Sequence, residues 1–231
     1  MAGKDITIKG ADGTFSAYLA LPPTGKGPGL VVIQEIFGVN QSMRKITDAF
    51  AAQGFVALCP DLFWRIEPNI QITDKSEAEW KRAFELFKAF DVDKGIVDID
   101  AAIHTLRNMP ECTGKVGAVG YCLGGLLAYL TATRTDADAS ASFYGVGIQD
   151  KLSEGEYISK PLMLHIAEED KFVDKAAQGK VKAHFANSHH VTIHSYAGMD
   201  HAFARVDGTS FNADAAKLAN ERTLEFLKKA L

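Results

Sequence analysis

An α/β fold is predicted for this chain: a mostly parallel sheet, opened by an antiparallel hairpin and covered by helices on both faces. Three observations predict it. Short continuous apolar runs such as "LVVIQEI", "FVALCPD" and "KVGAVGYC" have the character of strands buried on both faces. Between them lie segments of helical period, and strand alternating with helix implies right-handed crossovers and parallel pairing. No repeat, low-complexity tract or linker divides the 231 residues, so one domain spanning 1–231 is expected.

The elements follow in order. Two alternating runs, "DITIKG" and "FSAYLAL", flank the turn-forming "ADGT" and predict the hairpin. After "PPTGKGPG" the run "LVVIQEI" is a buried strand, and Ser42 is expected to cap a helix through Gln53 that Gly54 stops. "FVALCPD" is the next strand. Ser76 and Glu79 form a capping-box pattern before "WKRAFELFKAF", and "GIVDIDAAIHTLRNM" carries a helical period. The strand "KVGAVGYC" then meets the helix "LGGLLAYLTAT", followed by the strands "ASASFYG" and "PLMLHIAEED". A helix over 176–186, the strand "VTIHSYAG" and a helix over 213–231 complete the pattern.

Composition narrows the function. The net charge is −4, the pI is near 6.0 and no Lys/Arg cluster stands out, which argues against a nucleic-acid partner. No run of about 18 apolar residues exists and "MAGKDITIKG" lacks a long apolar region, so neither a membrane span nor a leader is expected. A cytoplasmic monomer acting on a small molecule fits. The three cysteines, in no zinc-like spacing, suit a reducing compartment, and no metal or cofactor is expected.

Ligands of such sheets gather past the carboxyl ends of the strands, where Glu35, Cys122, Asp170 and His201 all fall. Gly120-Tyr121-Cys122-Leu123-Gly124 has the G-x-nucleophile-x-G form of a nucleophile elbow, with cysteine in place of serine. Its glycines would let a strained turn lie close to the neighbouring strand and helix. Cys122 could equally be a small buried hydrophobe or a redox thiol, with Cys59 at a strand end and Cys112 in a loop as poorly placed partners.

A thiol nucleophile needs a base, and the base needs an acceptor. Asp170 and then His201 follow Cys122 in the chain order of α/β-hydrolases, with Glu168 and Glu169 as rivals to Asp170. The remaining histidines sit within predicted helices or strands. His190 and His194 share a strand face but lie too far apart to hold one metal. Glu35 has two readings: a structural ion pair with an arginine, or an acid near the thiol. The backbone amides of Ile36 and Leu123 fall where α/β-hydrolases place the oxyanion hole.

Taken together, "VVIQEIFGVN", "ALCPDLF", "VGYCLGG", "EEDKFV" and "GMDHAFAR" resemble the dienelactone hydrolase family over nearly the whole chain, including "FYGVG" and "LANERTLEFL". The resemblance implies an α/β-hydrolase fold and hydrolysis of 4-carboxymethylenebut-2-en-4-olide. It assigns the triad to Cys122, Asp170 and His201. It further implies that Glu35 keeps the resting thiol neutral and takes its proton when an anionic substrate binds. The family holds the substrate carboxylate with two arginines. Arg205 matches one, and Arg82 is a candidate for the other although Trp80 occupies the aligned position. Ala202 stands where relatives often carry serine. A relative acting on another anionic lactone or ester is the alternative reading.

Overall fold

The computed structural model describes residues 3–231 and contains one sheet of eight strands in the order β1-β2-β4-β3-β5-β6-β7-β8. The hairpin is present: β1 (Lys4–Lys9) pairs antiparallel with β2 (Thr14–Ala20), in register from Lys4 opposite Leu19 to Lys9 opposite Thr14. The Gly10 amide closes its turn on the Gly13 carbonyl at 2.8 Å. β2 also pairs antiparallel with β4 (Val56–Pro60). From β4 onward through β3 (Gly27–Ile33), β5 (Cys112–Tyr121), β6 (Ala139–Phe143), β7 (Leu162–Ala167) and β8 (Val191–Tyr196) the pairing is parallel.

Every residue of β4 and β6 is buried, as continuous apolar runs require when both faces of a sheet are covered. The cover consists of α1 (Gln41–Ala52), α2 (Glu77–Ala89), α3 (Val92–Arg107), α4 (Leu123–Arg134), α5 (Lys175–His184) and α6 (Ala213–Ala230). α3 packs against α4, while α1 and α6 line a common groove. Helix α4 is buried all round from Leu123 to Ala132, which accounts for a helix with almost no polar face.

Local sequence set most boundaries, with four corrections. Asn40, not Ser42, caps α1: its side-chain oxygen accepts from the Met43 amide at 3.1 Å, and the Ser42 hydroxyl donates to the Val206 carbonyl instead. Both residue types can cap, and Asn40 is the one that directly precedes the first helical residue, Gln41. Ser76 does cap α2, but the Glu79 carboxylate reaches back to the Thr73 amide at 2.9 Å and to both nearby hydroxyls. Cys112 opens β5 rather than lying in a loop, and α5 starts at Lys175 under an Asp174 cap and ends at His184.

The topology fixes where a site can form. From β3 the chain moves to β4 on one side, and the next strand in sequence, β5, lies on the other side of β3. That reversal opens a crevice at the carboxyl ends of β3 and β5, and Glu35 and Cys122 are the residues that follow those ends.

Candidate active site

Cys122 sits at the tip of a sharp turn between β5 and α4 with φ 58° and ψ −115°, a region a side-chain-bearing residue rarely occupies. The flanking glycines permit it. A Cβ on Gly120 would lie 1.8 Å from the Gly124 carbonyl oxygen, and one on Gly124 would lie 2.4 Å from that of Ile33. The Cys122 amide donates to the Phe143 carbonyl at 3.1 Å, which ties the turn to the end of β6. Leu123, the first residue of α4, has an amide with no partner inside the helix. Ile36 lines the same cleft as Cys122.

His201 and Asp170 meet across the loops after β8 and β7. Nδ1 of His201 lies 2.8 Å from Asp170 Oδ2, while Asp170 Oδ1 accepts from the amides of Phe172 and Val173. The rivals are engaged elsewhere: Glu169 pairs with Lys175 at 2.8 Å and Glu168 with Lys182 at 3.7 Å. The opposite ring nitrogen of His201, Nε2, is buried and has no hydrogen-bond partner. Burial pulls the imidazole's proton affinity down, but the Cys122 sulfur and the Asp170 carboxylate outweigh it, and the ring is pushed up to about 10. Phe172 and Tyr144 hold the ring by edge contacts at 4.9 and 5.0 Å.

Glu35 and Arg205 are partners. The buried guanidinium donates from Nε to Glu35 Oε2 at 2.6 Å and from Nη2 to Oε1 at 3.1 Å, a two-bond fork. Its Nη1 donates to Asp74 at 2.8 Å, and Asp74 also accepts from Thr209. Burial opposes the charge on Arg205, but Glu35 outweighs it and the group stays protonated. One guanidinium between two buried carboxylates leaves a net negative cluster beside the cleft. Thus the ion-pair reading of Glu35 is what the resting geometry contains.

Arg82 is elsewhere. It is half-buried at the surface, bonded to Glu67 and Glu85, and is absent from the cleft, which Trp80 lines instead. Two residues along an α-helix is about 200° of rotation, so Trp80 and Arg82 cannot face the same way. The sequence reading also missed Asp74, Tyr144 and Phe172. Asp74 lies in an ordinary polar loop and gives no signal. Tyr144 follows β6 and Phe172 follows Asp170, so strand-end position could have singled them out. Tyr144 (φ 40°), Cys122 and Ala202 (φ 64°) all carry positive φ, so backbone strain gathers around this cleft.

The sheet order, the cysteine elbow and the Asp–His pair together define an α/β-hydrolase. The model of the dienelactone hydrolase family matches residues 15–231. A protein of Azospirillum brasilense is 49% identical over 98% of this chain and 99% of its own length. Carboxymethylenebutenolidase 1 of Cupriavidus pinatubonensis is 39% identical over 97% and 95%, and carboxymethylenebutenolidase of Pseudomonas putida 38% over 98% and 97%. Among solved structures, a Klebsiella pneumoniae chain assigned to the dienelactone hydrolases has a TM-score of 0.85 at 20% identity, covering 96% of each chain. A dienelactone hydrolase-like promiscuous phosphotriesterase from metagenomic libraries has a TM-score of 0.76 at 20% identity, covering 100% of this chain and 99% of its own. The chain belongs to the dienelactone hydrolase family and is an ester hydrolase. No helix among the described residues is long and apolar enough to cross a membrane.

Proposed function

We propose that the protein opens 4-carboxymethylenebut-2-en-4-olide to maleylacetate through a thioester on Cys122. The observation that carries this reading is His201, held by Asp170 at 2.8 Å on one nitrogen, with the other nitrogen unpartnered in a cleft shared with Cys122. The relatives named carboxymethylenebutenolidase supply the substrate.

Binding begins with an exchange of partners. The lactone's carboxylate competes for Arg205, whose planar fork fits a carboxylate in two bonds. Glu35 is displaced from the pair it holds at rest and accepts the Cys122 proton. The sulfur attacks the lactone carbonyl, and the developing oxyanion takes hydrogen bonds from the amides of Ile36 and Leu123, the latter at the positive end of α4. The ring C–O bond breaks, leaving a thioester on Cys122 and an enolate that collects a proton and becomes the ketone of the product. Water activated by His201 then cleaves the thioester, and the released sulfur regains its proton. Asp170 holds Nδ1–H, and once the sulfur is acylated its charge no longer favours the imidazolium, so Nε2 serves as the base for water.

A redox-sensor reading lacks a resolving thiol. Cys59 is fully buried, and burial with Asp61 nearby pushes its proton affinity up, which makes it inert, while all three cysteines are free.

Loss of the dienelactone ultraviolet absorbance measures the reaction. Wild type is expected to turn over, Cys122→Ala to be inactive, and Cys122→Ser to retain little, since a hydroxyl ionises far less readily than a thiol. Near-native turnover by Cys122→Ala rejects the proposal.

A further inference from the structure

The cleft over Cys122 holds one guanidinium among its described lining residues, and beside Cys122 and His201 the rest of its wall is apolar: Ile36, Val146 and five aromatic rings, those of Phe37, Trp80, Phe84, Phe87 and Phe172. Trp80 stacks on Phe84 (centroids 5.5 Å, planes 29° apart) and on Phe172 (6.5 Å, 23°). Phe84, Phe87 and Phe172 are 40%, 36% and 46% exposed, three phenylalanines left open to solvent beside one thiol. Apolar surface gathered like this is expensive in water and marks a place that something covers.

The wall is built to offer ring faces and nothing polar. Trp80 Nε1 already donates to the Asp74 carbonyl at 3.0 Å, so the indole is anchored and presents no free hydrogen-bond donor. Phe172 touches the His201 ring, which brings the wall up to the reacting groups. Phe37 stands between the two ends of the cleft: its ring lies 4.8 Å from the Arg205 guanidinium carbon and 5.1 Å from the Trp80 ring. The cleft therefore has a charged pole and an aromatic pole about one ring apart. Its enclosed volume is only about 40 Å³, so a substrate ring would lie along the exposed aromatic wall rather than inside a closed pocket.

We propose that Trp80, Phe84 and Phe172 form an aryl subsite, so that the substrates of this enzyme include monoanionic esters carrying a flat aryl group. This deepens the proposed function and rests on Cys122 and Arg205 being the reacting and carboxylate-binding groups. The reaction is unchanged: the acyl C–O bond breaks, water supplies the hydroxyl to the acid and a proton to the alcohol. Specificity comes from stacking the planar group on the wall while Arg205 holds the single carboxylate. Burial of a phenyl group against aromatic faces favours it over a methyl group by about tenfold or more.

The test reads binding, so it does not depend on which lactone is turned over. Dissociation constants are measured by calorimetry for cinnamate, crotonate and 3-cyclohexylacrylate, which share a conjugated carboxylate and differ in the phenyl, methyl or cyclohexyl group. Cys122→Ala, compared with wild type, shows that binding is read apart from chemistry. Cinnamate is expected to bind at least about tenfold tighter than crotonate and several-fold tighter than 3-cyclohexylacrylate. In Trp80→Ala the cinnamate-to-crotonate ratio falls below about threefold; Phe172→Leu, at an exposed position less demanding on folding, lowers the same ratio. Equal binding of cinnamate and crotonate to wild type overturns the subsite, as does a ratio that survives both substitutions or a cyclohexyl group that binds as tightly as phenyl. Failure to turn over dienelactone with the ratio intact would instead sink the substrate assignment and leave the subsite standing.

Discussion

Glu35→Gln separates the two parts Glu35 plays in the proposed cycle. Glutamine is nearly isosteric and keeps a carbonyl oxygen for one of the two Arg205 contacts, now at 2.6 and 3.1 Å, but removes the charge. Replacing a charge-assisted bond with a neutral one costs about 1–2 kcal/mol of stability. The loss stays below the 3–5 kcal/mol of an orphaned buried charge because Asp74, 2.8 Å from Nη1, still neutralises the guanidinium. The cluster's net charge goes from −1 to zero, since two carboxylates then become one against one guanidinium. With that like charge gone a second negative charge on Cys122 is less disfavoured, and alkylation of the free enzyme by iodoacetamide at neutral pH should rise from slow to on the order of tenfold faster. Turnover should move the opposite way. Without the group that takes the thiol proton, kcat for dienelactone falls on the order of 100-fold or more, while KM does not rise because Arg205 is easier to capture. Stopped-flow absorbance gives kcat and KM, and mass analysis of the alkylated protein gives the thiol rate. Unchanged alkylation together with kcat within threefold of wild type would show that Glu35 is only a structural partner of Arg205.

Other substitutions test the surrounding geometry. Arg205→Lys keeps the charge but loses the fork, and should cost about 2–4 kcal/mol in kcat/KM toward an anionic lactone and far less toward neutral esters; equal losses on both would refute carboxylate recognition. Arg205→Ala should also destabilise the fold by about 3–5 kcal/mol in urea titrations, because Glu35 and Asp74 are left buried and unpaired. Gly124→Ala should lower the melting temperature by several degrees and abolish activity, since its Cβ would press on the Ile33 and Gln34 carbonyls at 2.4 and 2.5 Å; a fully active, equally stable variant would refute the packing argument for the elbow. His165, hydrogen-bonded to Tyr196 and Thr223, is lowered to about 3 by burial first and then by His194 and Arg222. Between that value and the ordinary 6.5 the unfolded chain takes up a proton that the folded chain refuses. Stability is therefore full above about 6.5 and falls as pH drops toward 3, by up to about 1.4 kcal/mol per unit. His165→Gln should have a flatter acid limb in denaturant titrations, and an unchanged slope would refute the assignment.

Much of this molecule was readable from local pattern. Continuous apolar runs marked the parallel strands because a strand covered on both faces has no polar side to show. The cysteine elbow was legible because its constraint is local: Gly120 and Gly124 must lack side chains for the turn to close, whatever else the chain does. The order Cys122, Asp170, His201 could be read because strand ends in a parallel sheet all deliver their loops to one edge. Tertiary structure decided the charges and the walls. Glu35 and Arg205 are 170 residues apart, Arg205 and Asp74 131, and nothing local says which of many carboxylates will meet a given guanidinium. The same holds for α2, where helical period leaves open which face turns to the cleft; packing against Phe37 and Phe172 turned Trp80 inward and left Arg82 among solvent-exposed carboxylates. Backbone geometry is dictated by neighbours in sequence, whereas partners in a cleft are chosen by where distant loops converge.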